Sequence, residues 1–313
     1  MDARTPLPRR TLMAAALAAP VVTRPGTSRS QPARPVVVAS KLDTEGALLG
    51  HLMLGVLERN RVPAQPRLQL GPTAVIRRAL LAGEVDLYPE YTGNGAFFFQ
   101  VETDPAWRRG DTAYDKVRAL DAERNDVTWL RPAPANNTWA IAIRADLARS
   151  ANLRTMEDLA RHLAANGAFK LAASAEFVES PAALPSFQRT YGFTLPPDRL
   201  VVLSGGDTAV TMRAAAERLN GVNAAMVYGT DGAIAALDLQ VLEDTKGAQI
   251  VYEPAPCLRG AVARSLPNLG AWLAPVFESL TLTRLQSLNA KVVVEGRPIA
   301  EVAREHLRGL GLA

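Results

Sequence analysis

From residue 35 onward, two hydrophobic rhythms alternate along the chain. Short apolar, β-branched runs predict buried strands, and stretches with apolar residues three or four apart predict helices lying on them. "PVVVAS" (35–40) is the first such strand, and "DTEGALLGHLMLGVLERN" (43–60) the first helix. Asp43 or Thr44 can cap that helix by accepting from its free N–H groups. "PRLQLG" (66–71) predicts a strand, "TAVIRRALLAGE" (73–84) a helix that stops near Gly83, and "VDLYPEY" (85–91) a third strand. Strand, helix, strand, helix, strand is the order of an α/β sheet with crossover helices.

The pattern begins again at "TWAIAIR" (138–144), a strand. "TMEDLARHLAA", "LPSFQRTYGF" and "DTAVTMRAAAERLNG" then read as helices. "FKLAAS", "RLVVLS" and "NAAMVYGT" read as strands, and "QIVYEPAPCLRGAV" (249–262) as a strand returning from this second unit. Three helical stretches close the chain: "LPNLGAWLAPVFESL", "TLTRLQSLNAKVVVEG" and "PIAEVAREHLRGLG". Two α/β lobes with the chain passing between them are expected. Ligands of open α/β sheets sit at the carboxyl ends of strands. Here those ends read "ASKLDTEG", "YPEYTGNG", "ASAEF" and "MVYGTDG", all polar or aromatic, as a shared cleft requires.

Charge is unevenly placed. The 313 residues carry a formal +4, but residues 1–35 hold six arginines against one acid, Asp2. Their net +5 leaves the remainder at −1, so a nucleic-acid-binding face, which needs concentrated basic charge, is not expected. "PRRTLMAAALAAPVV" is a charged segment followed by a short apolar run, the form of an export signal, and Arg9-Arg10 suggests the twin-arginine route. An unstructured tail is the alternative. The apolar run is shorter than the ~20 residues that span a bilayer, and "TRPGTSRSQPARP" reads as a spacer. The single cysteine, Cys257, leaves no internal disulfide and no N-terminal lipid anchor to expect, so a soluble exported protein is predicted.

Reactive chemistry is sparse. His51, His162 and His306 fall in separate helical patterns without a metal-ligand spacing. Cys257 has no motif around it and reads as a packing residue. "SGGDTAV" could cradle an anion at a helix start, although Asp207 as a helix cap is the simpler account. No enzyme, cofactor or metal is expected.

Aromatic residues point elsewhere. The chain is 6% aromatic, yet "YPEYTGNGAFFF" (88–99) holds five rings beside a flexible turn. A hairpin corner with a core plug is one reading; a ligand wall is another. Tyr91, Trp139, Tyr228 and Tyr252 stand singly at strand ends in "EYTG", "NNTW", "YGTDG" and "VYEPAP". A quaternary ammonium has no N–H to donate, and a protein holds it by surrounding it with π-faces. Four rings from separate segments can form such a box.

"SKLDTEGALLG", "AGEVDLYPEYTGNGAFFF", "PAPANNTWAIA", "LAASAEF", "GGDTAVT" and "GVNAAMVYGTDG" together resemble the periplasmic glycine betaine/choline-binding proteins of ABC osmoprotectant uptake systems, the OsmF-type subgroup most of all. The resemblance runs from about residue 36 to the end. It implies a type II periplasmic-binding fold, closing over a small quaternary ammonium ligand and docking on the permease subunits as a monomer. The expected division is 1–35 signal and spacer, 36–137 plus 250–313 one lobe, and 138–249 the other. Carried over by position, the cage rings fall on Tyr91, Trp139, Tyr228 and Tyr252. Asn137 falls where a backbone carbonyl meets the methyl groups, and Lys41 where the ligand carboxylate is met. Asn94, Thr230 and Asp231 complete the expected set, with Phe97 to Phe99 as packing behind Tyr91. Three positions depart from the family: Asn94 replaces a carboxylate-binding Thr, Gly46 a common Gln, and Ser180 an arginine of the second lobe. Weak betaine binding is therefore expected. A periplasmic sensor module on the same fold is the alternative function.

Overall fold

A computed structural model describes residues 34–203 and 207–312; the export-signal reading of the leader and the glycines of "SGG" lie outside them. Residues Pro35–Ala313 form one unit built on two five-stranded sheets. The first contains β1 (Val36–Lys41), β2 (Ala64–Gly71), β3 (Leu87–Tyr91), β4 (Val127–Trp129) and β10 (Pro254–Arg259). The second contains β5 (Trp139–Arg144), β6 (Leu171–Ser174), β7 (Leu200–Leu203), β8 (Ala224–Tyr228) and β9 (Leu239–Val241). Their strand orders are β2-β1-β3-β10-β4 and β7-β6-β8-β5-β9.

The two sheets are built on the same plan. In each, three strands run parallel through crossover helices, and one strand entering from the other half runs antiparallel beside them. That strand is β10 against β3 and β4 in the first sheet, and β5 against β8 and β9 in the second. Strands covered on both faces need continuous apolar runs, and β1 and β3 are buried at every position. Helices Thr44–Arg59, Leu269–Ser279, Leu282–Val293 and Ile299–Gly309 bury their apolar faces together over one side of the first sheet. Cys257 is fully buried in the core on the other side, as its packing role predicts.

Local rules decide the helix ends. Asp43 caps the first helix, its carboxylate accepting from the Gly46 N–H at 2.7 Å. Asp207 caps helix Thr208–Ala216 through the Ala209 N–H, and Thr155 and Asp158 form a capping box before Met156–Ala164. The pattern misses several elements. Helix Gly110–Asn125 buries only Ala113, Val117 and Asp121, a stripe too narrow and too polar to read as amphipathic. A short helix, Gly260–Ser265, precedes the three closing helices.

The two connecting segments run side by side between the sheets. The Asn137 N–H donates to the Tyr252 carbonyl at 2.9 Å, the Tyr252 N–H to Asn136 Oδ1 at 2.8 Å, and the Thr138 hydroxyl to the Ile250 carbonyl at 2.8 Å. Two glycines permit the close approaches around this crossing. A Cβ on Gly93 would lie 2.7 Å from the Val251 carbonyl, and one on Gly232 would lie 2.3 Å from the Ala290 nitrogen. The "YTGN" turn can therefore lie on the crossing, and the "YGTDG" turn on helix Leu282–Val293.

Candidate functional site

Strand ends of both sheets open into one cavity of about 880 Å³. All nine residues singled out from the sequence line it: Lys41, Tyr91, Asn94, Asn137, Trp139, Tyr228, Thr230, Asp231 and Tyr252. Sheet register explains part of this convergence. Trp139 opens β5 and Tyr228 ends β8, and the antiparallel pairing sets them directly opposite one another.

Their rings lie 6.3 Å apart between centroids, inclined by 22°. Phe177 meets the Trp139 ring edge-on at 6.0 Å. A methylated ammonium between two parallel rings would need them more than about 7 Å apart, twice a carbon contact distance. Trp139 and Tyr228 are too close for that, so a methylated ammonium does not sit between this pair. Tyr252, on the adjoining crossing segment, and Tyr91, at the end of β3, supply the other rings. Burial raises the phenol pKa values of Tyr91, Tyr228 and Tyr252, so all three present neutral rings.

The first sheet's side of the cavity is a polar lattice around two buried carboxylates. Glu90, fully buried at the end of β3, accepts from Lys41 Nζ at 2.6 Å, the Tyr88 hydroxyl at 2.9 Å, the Tyr91 N–H at 2.8 Å and Asn94 Nδ2 at 2.7 Å. Lys41 Nζ also lies 4.6 Å from the Tyr91 ring centroid. The ammonium expected to meet a ligand carboxylate is thus bound by the protein's own acid, as is the amide of Asn94. Glu45 is the second carboxylate. It accepts from the Tyr91 hydroxyl at 2.6 Å, Asn137 Nδ2 at 3.1 Å and Asn289 Nδ2 at 2.7 Å. Burial raises its pKa, opposed by hydrogen bonds from Thr230, Tyr91 and Asn289 and reinforced by the charge of Asp43.

Sequence reasoning missed Glu45 and Asn289. An acid in the first turn of a helix is ordinary, so Glu45 in "DTEG" carried no signal. Asn289 did carry one: it lies on the apolar face of its helix with Leu285 and Leu288, all three buried. Phe97 differs from expectation. The short helix Asn94–Phe98 turns it outward, where it is half exposed and lines the cavity, while Phe98 and Phe99 pack against the core. Ser180, at the position of the family's arginine, also lines the cavity and presents a hydroxyl there in place of a guanidinium.

Comparison with known proteins places this geometry in a family. Residues 34–309 match the substrate binding domain of the ABC-type glycine betaine transport system. The glycine betaine-binding protein YehZ of Escherichia coli (strain K12) is 54% identical over 90% of this chain and 92% of its own length. The structure of apo YehZ from Escherichia coli superposes with a TM-score of 0.85, covering 90% of this chain and 100% of that one. The ergothioneine transport permease/ergothioneine binding protein EgtU of Helicobacter pylori (strain G27) is 27% identical over 89% of this chain, which spans 48% of that protein. This chain has the two-lobed type II periplasmic-binding fold and belongs to the family of substrate-binding domains of ABC-type glycine betaine transport systems.

Proposed function

We propose that the chain is an exported, monomeric solute-binding protein. It holds a quaternary ammonium solute of the glycine betaine or choline type between its lobes and delivers it to an ABC permease. Residues 36–137 with 250–313 make one lobe and 138–249 the other. The observation that carries this reading is the set of rings lining the cavity, with Trp139 and Tyr228 set opposite one another by strand register. Such rings attract a cation that has no N–H to give. The name of the E. coli relative supports the same ligand class. Lys41 and Asn94 position Glu90 and Tyr91, and so shape the ring wall of the first lobe. The protein acts by binding and release, without a catalytic step.

A melting-temperature screen tests the reading. Ligand that binds only the folded state raises stability with concentration, so glycine betaine, choline and related methylated ammonium compounds should raise the midpoint. Equal midpoints with every quaternary compound at saturating concentrations would reject the assignment. Export through the twin-arginine route is the companion proposal. The double substitution Arg9→Lys with Arg10→Lys should leave precursor in the cytoplasm, whereas normal processing would point to the general secretory route.

A further inference from the structure

The turn that follows β8 is not held by its own sheet alone. The Gly229 N–H donates to the Thr138 carbonyl at 2.9 Å, and the Tyr228 N–H to Asp231 Oδ2 at 2.8 Å. The carbonyls of Gly229 and Thr230 are taken by helix Leu282–Val293 instead. Gln286 Nε2 donates to the first at 2.7 Å, and Asn289 Nδ2 to the second at 2.9 Å. Residues at this spacing share one face of a helix. Leu285 and Leu288 anchor the same helix in the core of the first sheet. The ring of Tyr228 belongs to the second sheet, yet its turn is tied to a helix of the first.

Asn289 reaches further. A side-chain amide nitrogen carries two hydrogens. Here one goes to the Thr230 carbonyl and the other to Glu45 Oε2, at 2.7 Å, while Glu45 Oε1 accepts from the Tyr91 hydroxyl at 2.6 Å. Three hydrogen bonds, through one amide and one carboxylate, therefore run from the Tyr91 ring at the end of β3 to the turn that carries Tyr228. The Thr230 side chain adds a bond of its own to Glu45. Flipping the amide would set its oxygen against a carboxylate and a carbonyl, so its orientation is fixed. These bonds account for a polar residue only 5% exposed on the apolar face of its helix. A leucine would suit that face and give a hydrogen to neither side.

We propose that Asn289, with Gln286 beside it, is a positioning residue for the ligand: it fixes the separation of the Tyr91 and Tyr228 rings, and thereby the size of quaternary head that the cavity accepts. The proposal rests on the quaternary ammonium reading above and deepens it. Charge draws the ligand to the rings. Their separation decides how closely its alkyl groups meet them, and a gap of about 1 Å forfeits up to about half of each contact. With both rings tied to one amide, a head that fits touches both, and a bulkier head must strain the ties. Loosened ties cost the small head its contacts and ease the entry of the large one.

Calorimetric titration of the mature protein with choline and with its triethyl analogue tests this, since the two differ only in the alkyl groups on nitrogen. The wild type should bind choline more tightly. Asn289→Ala should weaken choline by about three- to tenfold, the effect of one or two hydrogen bonds. It should leave the triethyl analogue unchanged or tighter, so that the ratio of the two affinities narrows. Gln286→Ala, at a half-buried position, should narrow the ratio less. A side chain that only stabilises the fold lowers the melting midpoint without moving this ratio. Melting curves establish that each variant folds, and if Asn289→Ala does not, Gln286→Ala decides. An unchanged ratio in the folded variants, or a wild type without preference for choline, would overturn the positioning role alone. If the wild type binds neither compound, nor tetramethylammonium, the quaternary ammonium reading itself falls, and the positioning role with it.

Discussion

Replacing Trp139 by leucine removes a π-face from the cavity while keeping an apolar side chain at the start of β5. Two separable effects follow from the geometry. The ring stands 6.3 Å from Tyr228 and 6.0 Å from Phe177, and each such aromatic pair contributes ~0.5–1.5 kcal/mol beyond area burial. Stability should therefore fall by about 1–3 kcal/mol, with a midpoint several degrees lower, at ~2–4 °C per kcal/mol for a chain approaching this size. Binding should fall separately. One ring facing a quaternary ammonium contributes ~0.5–2 kcal/mol according to its desolvation, which corresponds to roughly 2- to 30-fold in Kd. Trp139→Phe keeps a π-face and should recover most of the affinity. Calorimetry with choline, beside melting curves, reads both effects. A leucine variant that melts cooperatively and binds choline as the wild type does would refute the cage wall.

Two further outcomes follow. Ser180→Arg places a guanidinium at the cavity edge, where the basic side chain among the described lining residues, Lys41, is already paired with Glu90. It should tighten glycine betaine by ~1–3 kcal/mol through a charge-assisted pair and choline much less; equal shifts for both ligands in calorimetry would contradict it. For pH, burial raises the Glu45 pKa above 4.5 in the folded protein. The native state therefore binds the proton more tightly than the unfolded chain, and this stabilising contribution is present below pH 4.5 and lost as pH rises through the folded value. A bound cation favours the ionised carboxylate, so choline affinity should rise over the same window and binding should release protons. Asp231, raised by burial and by Asp207, acts in the same direction. Affinity that stays flat or falls as pH rises through this window would count against a charged Glu45 beside the ligand.

Most of the fold is legible because its strands obey one simple rule. β1 and β8 are mostly apolar runs bounded by turn residues, and the helices between the strands carry one broad apolar face each. Helix Gly110–Asn125 escapes that rule, since its inward stripe ends in Asp121. There the carboxylate meets Arg77 through two hydrogen bonds, at 2.7 and 2.5 Å. No periodicity of apolar residues anticipates a buried ion pair.

The site divides along the same line. Rings at strand ends are rare and visible, and the register of β5 and β8 then brings two of them together. Polar partnerships are not visible, because any carboxylate in a sequence has many possible partners. Lys41 could be placed at the cavity from sequence, but its bond to Glu90 could not. Glu45 was hidden by its ordinary position in a helix's first turn, whereas Asn289 was marked by a polar side chain among leucines on an apolar face.

On the proposed function, the rings hold the ligand because of its charge, not its shape. Choline and 3,3-dimethylbutan-1-ol differ by one atom, a positively charged nitrogen against a neutral carbon, in nearly identical envelopes. Calorimetric titration of the mature protein with both compounds isolates the electrostatic attraction of the π-faces from apolar contact. Choline should bind saturably, and the alcohol at least about tenfold more weakly. Equal affinity for the two, or binding of neither, would contradict it.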